Sequence, residues 1–413
     1  MKNASFHNWF ETISQTSLSP HDFFYQFIEF LNQHDFHIKR VTLGSRPLHP
    51  EVEAQVFSYL HQDFSGEPAR NINPALLRKK EYIYENAQIQ HVLFGLGVEV
   101  DKGFKNSPIP IALKTQKSIR IQIWNNNENP FPIIGDLRKA NMTEYFLLPL
   151  PHEGKMIAFM SFASSRPQGL SDEQVEELTR MCIYFSMKWA SFQQKEIIES
   201  LLSLYLGSET GKNVLNGNIK RGNLESLEAI IWFSDIRGYT HLSSHYPSAQ
   251  VIQWLNEYYE EQISIIHGFG GEVLKLLGDG ILAVFPTTKE RKILTTARRA
   301  VIASIRSLEK IKISNRSKKE QGIPEIQHGI ALHRGNVKYG NIGSKDRLDF
   351  TIIGHDVNLT ARICSLCSSY QKDIILSEQI SKLLPGQVKL LAEKVQLKGI
   401  SKNHKIFVIE KPS

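Results

Sequence analysis

Cysteine is almost missing from this chain, with three in 413 residues. Three thiols cannot build a disulfide framework. Cys364 and Cys367 form a C-x-x-C, but no second Cys or His pair flanks it. The spacing therefore reads as two thiols on one helix rather than a zinc or redox site. Long apolar runs are missing too. Nothing approaches the ~18 consecutive apolar residues of a membrane-crossing helix, and residues 1–6 lack the apolar core of a signal peptide. The expectation is no membrane span and cytoplasmic residence. Also absent are an aromatic-and-basic RNA-binding signature and zinc-finger spacing. The excess of 49 Lys and Arg over 42 Asp and Glu gives a net charge of +7, but it is spread thinly. Its one dense run, 310–319, reads as a solvated connection between a helix and a strand. No nucleic-acid partner is expected.

What is present is an ordinary globular composition, 41% hydrophobic and 22% charged, at a length that suggests two or three domains. Its organising stretch is Ala229-Ile230-Ile231-Trp232-Phe233-Ser234-Asp235-Ile236-Arg237-Gly238-Tyr239-Thr240. Five apolar residues read as a buried strand, and an acid stands where the strand ends. Residues 269–285 repeat the theme, as strand, Gly278-Asp279-Gly280 turn and strand, a hairpin with an acid at its tip. Two carboxylates at neighbouring strand ends can converge on one point. Hard oxygen ligands suit magnesium or manganese, and two such ions can clamp the attacking and leaving oxygens of a phosphoryl transfer.

Read in order, 21–34 is an amphipathic helix with Ser19 or Asp22 as cap and Pro20 at its start. Residues 37–43 and 54–60 read as strands. Between 71 and 129 only the alternation of Ile119, Ile121 and Ile123 gives a clear strand. Residues 145–150 form a strand ending at Pro149 and Pro151, with 155–163 as its partner across His152-Glu153-Gly154. Ser171 with Gln174 makes a capping box for a long helix that continues through 188–206. Gly207, Gly211, Asn216, Gly217 and Gly222 then mark a linker. After the organising strand, Pro247 opens a helix with Val251, Ile252, Leu255, Tyr258, Tyr259, Ile263 and Ile266 on its apolar face. A helix follows over 290–309. Strands are expected at 326–332, 337–339 and 350–353, then a helix at 355–367, a strand at 373–376, a helix at 378–383 and strands at 388–398 and 405–409. The order βαββαβ is ferredoxin-like.

Three further motifs accompany the two acids: Gly335-Asn336-Val337-Lys338-Tyr339-Gly340-Asn341-Ile342-Gly343, then 349–362, beginning Asp349-Phe350-Thr351, then Leu397-Lys398-Gly399. Together, over 224–410, they resemble the catalytic domain of class III adenylate/guanylate cyclases. The resemblance implies attack of a ribose 3′-hydroxyl on the α-phosphate, with two Mg2+ or Mn2+ ions per site held by Asp235, Asp279 and the Ile236 carbonyl. Backbone amides of 236–240, including Gly238, Tyr239 and Thr240, would cradle phosphates. Lys275 and Thr351 match the base-selecting positions. Lysine with threonine there resembles the ATP-using threonine subtype, where guanylate cyclases typically carry Glu with Cys. Asn358 would orient the ribose and Arg362 stabilise charge on the α-phosphate. Lys398 and Arg347 would meet the triphosphate, although Ile400 stands where many members have a second lysine. The family's sites lie at a homodimer interface. Gly270-Gly271-Glu272 resembles a diguanylate cyclase signature, but Val273-Leu274 follows instead of Glu-Phe, so the match is coincidence.

The region upstream resembles a GAF-type sensory domain over 145–189. GAF domains bind varied small molecules or dimerise, so an unknown signal is implied. No cysteine is placed for a chromophore, and His49 reads as a loop histidine before a proline. The expectation is an α+β protein: a GAF-like domain over 1–187, a helical signalling linker over 188–223 and a ferredoxin-like class III cyclase domain over 224–413. The function expected is an adenylate cyclase. A guanylate cyclase and a non-catalytic nucleotide-binding signalling protein stay open as alternatives.

Overall fold

The computed structural model describes residues 2–65, 74–82, 89–124, 131–220, 222, 224–287, 292–320 and 322–410. The chain divides into two compact units, Met1–Leu201 and Leu202–Ser413. Among the described residues no helix is long and apolar enough to cross a membrane.

The first unit is built on a sheet of β1 (Ile38–Ser45), β2 (Val52–Leu60), β3 (Leu77–Tyr82), β4 (Ile89–Gly95), β5 (Ile119–Gln122), β6 (Glu144–His152) and β7 (Lys155–Ser164). The order is β3-β4-β2-β1-β7-β6-β5, with every pairing antiparallel. The helix Pro20–Gln33 starts where the sequence places it, with Ser19 as N-cap accepting from Asp22 N. Its apolar stripe of Phe23, Phe24, Phe27, Ile28 and Leu31 is fully buried, in one cluster with Val41, Leu43, Phe162, Phe185 and Trp189. The β6–β7 hairpin turns at Glu153 (φ 49°) and Gly154 (φ 74°), the pair of positive φ angles that a two-residue turn matched to strand twist requires. One expectation is corrected. β6 does not stop at its prolines but runs through Pro149 and Pro151. β5 pairs only with residues 144–147, so the missing N–H groups fall beyond it and cost no ladder bond on that side. Of the uncertain region 71–129, residues 71–73, 83–88 and 125–129 lie outside the described residues.

The helix Asp172–Leu206 opens on the expected capping box: Gln174 N donates to Ser171 Oγ (3.2 Å) and Ser171 N to Gln174 Oε1 (3.1 Å). Beyond the break at Gly207, Ser208–Leu215 is helical again. Gly211 sits inside it because a Cβ there would lie 3.1 Å from the Leu202 backbone. This glycine permits a close approach of backbones rather than breaking a helix.

The second unit carries β8 (Leu224–Ile236), β9 (Glu272–Leu276), β10 (Gly280–Pro286), β11 (His328–Gly343), β12 (Leu348–Ile353), β13 (Ile374–Ser377), β14 (Val388–Gln396) and β15 (Asn403–Ile409). The sheet order is β14-β15-β13-β11-β8-β10-β9, with β12 paired to β11. β11-β8-β10-β9 is the ferredoxin-like order for two βαβ halves, and the other strands extend it. The helices Ser248–Gly268 and Ile293–Glu320 pack with Ile230, Trp232, Ile281, Ala283 and Phe285. Three expectations change here. The strands expected at 326–332 and 337–339 are one strand, β11. The basic run 310–319 is helix, with Lys318 7% exposed and paired to Glu257 at 3.3 Å. On the first helix Ile252 points to solvent at 56% exposure, while Trp254 takes the buried position at 7%. Glu290, the expected start of the second helix, lies outside the described residues.

Candidate active site

Strand register brings the two acids together. β8 runs antiparallel to β10 with Asp235 opposite Gly280. A Cβ at Gly280 would meet the Ser234 carbonyl at 2.8 Å and Asp235 Oδ1 at 3.3 Å, so glycine is what lets the strands close up beside the acids. Ile236 N donates to the Asp279 carbonyl (3.2 Å), and the Tyr259 hydroxyl donates to the Gly278 carbonyl (2.5 Å). Both bonds pin the hairpin tip. Burial, then the charge of Asp279 and a hydrogen bond to it, push the Asp235 carboxyl up to about 6. The Tyr259 hydroxyl is pushed up to about 12 by burial and then by Asp279. Two carboxylates this close repel when both are ionised, and a divalent cation between them removes the penalty. The donor set therefore fits Mg2+ or Mn2+. Among the described residues no group of three His, Cys, Asp or Glu stands together. Two carboxylates, with backbone and phosphate oxygens filling the remaining positions, is how magnesium is commonly held.

The loop after β8 is less open than the sequence suggests. The amides of Ile236 and Arg237 are already used, the second donating to the Gln327 carbonyl at 2.7 Å. Gly238 takes φ 69° and caps the short helix Tyr239–His245. The first amides of that helix, at Tyr239 and Thr240, with that of Gly238, are those that helix geometry leaves over.

Lys275 stands on β9 opposite Leu282, and its Nζ pairs with Asp349 Oδ2. Asp349 and Thr351 are two apart on β12, so they share a face. Lys275 and Thr351 are the positions expected from sequence, and Asp349 joins them only in the fold. An acid in a turn-to-strand segment carries no signal of which lysine it meets. Tyr259 was likewise read only as part of an apolar face.

Asn358 and Arg362 are both exposed, four apart on the helix His355–Ser369. That helix docks on β11 through glycines. A Cβ at Gly329 would strike Cys367 Cβ at 2.5 Å, and one at Gly335 would strike Asp356 Cβ at 2.5 Å. Asp356 Oδ2 also accepts from Asn336 N (2.9 Å). Gly335 is thus a seat for the helix, and the Cys364 and Cys367 thiols are buried packing groups that donate to the Gly329 and Ile330 carbonyls at 3.4 and 3.6 Å. Across β8 and β11, Gly335 faces Ala229 and Gly329 faces Asp235. The first turn of the helix, next to Asn358, therefore stands six rows from Asp235, about 20 Å along the strand. Lys398 is exposed in the turn after β14. Arg347 is exposed in the β11–β12 loop, where its amide donates to Ser344 Oγ (3.1 Å).

Residues 225–411 match the family model described as adenylate and guanylate cyclase catalytic domain. The matched stretch falls within the second unit. An adenylate cyclase of Anabaena cylindrica is 31% identical to this chain over 199 residues, covering 47% of this chain and 39% of that protein. Among solved structures, the adenylyl cyclase CyaB from P. aeruginosa is 26% identical, with a TM-score of 0.42, over 46% of this chain and 97% of that one. The guanylyl cyclase Cya2 is 27% identical, with a TM-score of 0.40, over 46% of this chain and 96% of that one. The chain spans 39% of the length of the Anabaena relative, so the likeness concerns the cyclase domain alone.

Proposed function

We propose that this protein is an adenylate cyclase acting as a homodimer and regulated through its first unit. The ribose 3′-oxygen of ATP attacks the α-phosphorus and loses its proton. The bond from the α-phosphorus to the bridging oxygen breaks, and 3′,5′-cyclic AMP and pyrophosphate leave. The observation that carries the reading is the Asp235–Asp279 pair, within a stretch that matches the cyclase catalytic domain.

Asp235, Asp279 and the Ile236 carbonyl would hold two Mg2+ or Mn2+ ions. When bound, such ions polarise phosphate oxygens and lower the pKa of a coordinated hydroxyl. The amides of Gly238, Tyr239 and Thr240, with Lys398 and Arg347, receive the triphosphate. Lys275 and Thr351 read the adenine, and Asp349 restrains the lysine. Asn358 orients the ribose. Arg362 brings a planar fork to the charge that grows on the α-phosphate. The preference for ATP is supported by the Lys275/Thr351 pair and by the name of the Anabaena relative. The separation of the Asn358 turn from Asp235 supports a site completed by a second copy. The antiparallel sheet and long exit helix of the first unit are compatible with a GAF-like sensory domain over 1–187, joined through 188–223 to the catalytic domain over 224–413. The cytoplasm, where ATP is made available, is the compartment this reading requires.

The test is turnover of the purified chain with ATP and with GTP, each with magnesium and with manganese. Metal-dependent cyclic AMP from ATP, in excess over cyclic GMP from GTP, is expected. Folded protein giving neither product sinks the reading, and cyclic GMP alone reassigns the base.

A further inference from the structure

The first unit contains a hollow of about 160 Å³ that plays no part in the nucleotide reading. It lies against β1, β2, β4 and β7 and is closed by residues of the short helical segments Val98–Val100, Lys102–Lys105 and Ile109–Thr115. Its walls are apolar, with Val56, Phe94, Phe104, Leu113 and Phe159 among them. Gly44 seats one wall, the Phe159 ring. The Phe159 ring lies so close over it that any Cβ would overlap the ring. Three buried lining residues are polar: Gln55, whose amide is engaged with Glu196 and His91, and Thr42 and Ser45, 8% and 6% exposed. Neither hydroxyl has a hydrogen-bond partner within the protein, and leaving such a group unmatched is costly. The charges at the border are already engaged. Arg46 pairs with Glu99, and Glu53 accepts from the amides of Gly97 (2.6 Å) and Val98 (2.7 Å). Nothing is left over to neutralise a phosphate or a carboxylate.

We propose that this hollow is a binding site for a small uncharged ring compound whose hydroxyl or N–H pairs with Thr42. The size sets the class. A dry apolar cavity of about 150 Å³ in another protein takes up benzene. A nucleotide is too large for this one and carries a charge that the walls cannot meet. The site stands independently of the cyclase reading.

Calorimetric titration of the full chain with phenol, indole and benzene, with benzoate as the charged control, tests it. One molecule of phenol or indole per chain is expected, and no heat from benzoate. Thr42→Val keeps the volume and removes the hydroxyl, so it should weaken phenol roughly five- to ten-fold and leave benzene unchanged. Val56→Phe fills the hollow and should abolish all three, with circular dichroism unchanged. If that variant does not fold, Val56→Leu reports a partial loss in its place. No binding of any ring compound overturns the proposal. So does phenol affinity indifferent to Thr42→Val, or ring binding that persists unaltered in the filled variant.

Discussion

His328 shows how one buried side chain sets a property of the whole second unit. It is 1% exposed. Its Nδ1 lies 3.1 Å from the Tyr258 hydroxyl and its Nε2 3.2 Å from Ser307 Oγ. Burial, and then the charge of Arg237, pull its pKa down from 6.5 to about 3. The folded state thus holds this imidazole neutral, while the unfolded chain takes up a proton below 6.5. The contribution to stability is fully present above pH 6.5 and is lost as the pH falls from there toward 3. His328→Gln cannot titrate in this window. Its melting temperature should therefore fall less than that of the wild type between pH 6.5 and 4; superimposable acid limbs would show that the histidine is not held neutral. None of this was legible in the sequence, where a lone histidine before an apolar strand signals nothing. Asp235 and Asp279 were legible because each acid ends an apolar strand, and the register then set them side by side. The Lys275–Asp349 pair was not, because strands 74 residues apart in sequence meet only through the tertiary fold.

Elements were readable where a local signal names them and misread where a glycine serves packing. The Ser171/Gln174 capping box and the Glu153-Gly154 turn stand as expected, since cap and turn chemistry act within four residues. Gly335 reads in the sequence only as the start of a motif, and Gly211 as a break. In the fold, one lies inside the continuous β11 and the other inside a helix, each accepting a neighbour that any side chain would push away. The charged run 310–319 hid the end of a helix because only Ile311 and Lys318 of it are buried, too few to mark an apolar stripe. The role of Gly335 is testable. Gly335→Ala forces a methyl against Asp356 at the start of the helix His355–Ser369, and overpacking of this kind costs about 1–3 kcal/mol. A drop of several degrees in the melting of the second unit is expected. Turnover should fall as well, since Asn358 and Arg362 ride on that helix. A melting curve and turnover equal to the wild type would show that the helix does not seat there.

At the scale of the whole molecule the question is whether one copy can complete its own site. Asp235 faces Gly329, and the helix carrying Asn358 begins over Gly335, six rows away on the same strands. Leu276, Leu277, Leu348 and Ile353 stand 38–46% exposed, on or beside the two strands that carry Lys275 and Thr351. An apolar rim around a polar site suits coverage by another protein surface. In a two-fold dimer each interface recurs, so two equivalent sites form, each combining the Asp235–Asp279 half of one copy with the Lys275, Thr351, Asn358 and Arg362 half of the other. Asp235→Asn alone should then be nearly inactive, and so should Arg362→Ala alone. Mixed, they should regain activity. In a heterodimer one site joins an intact acid half to an intact arginine half, while the other carries both lesions. With random pairing half of the dimers are mixed and each has one working site of two, so recovery should approach about a quarter of wild-type turnover per chain. Mixed dimers demonstrated by differential tagging, yet as inactive as either parent, would mean that each copy carries a complete site of its own.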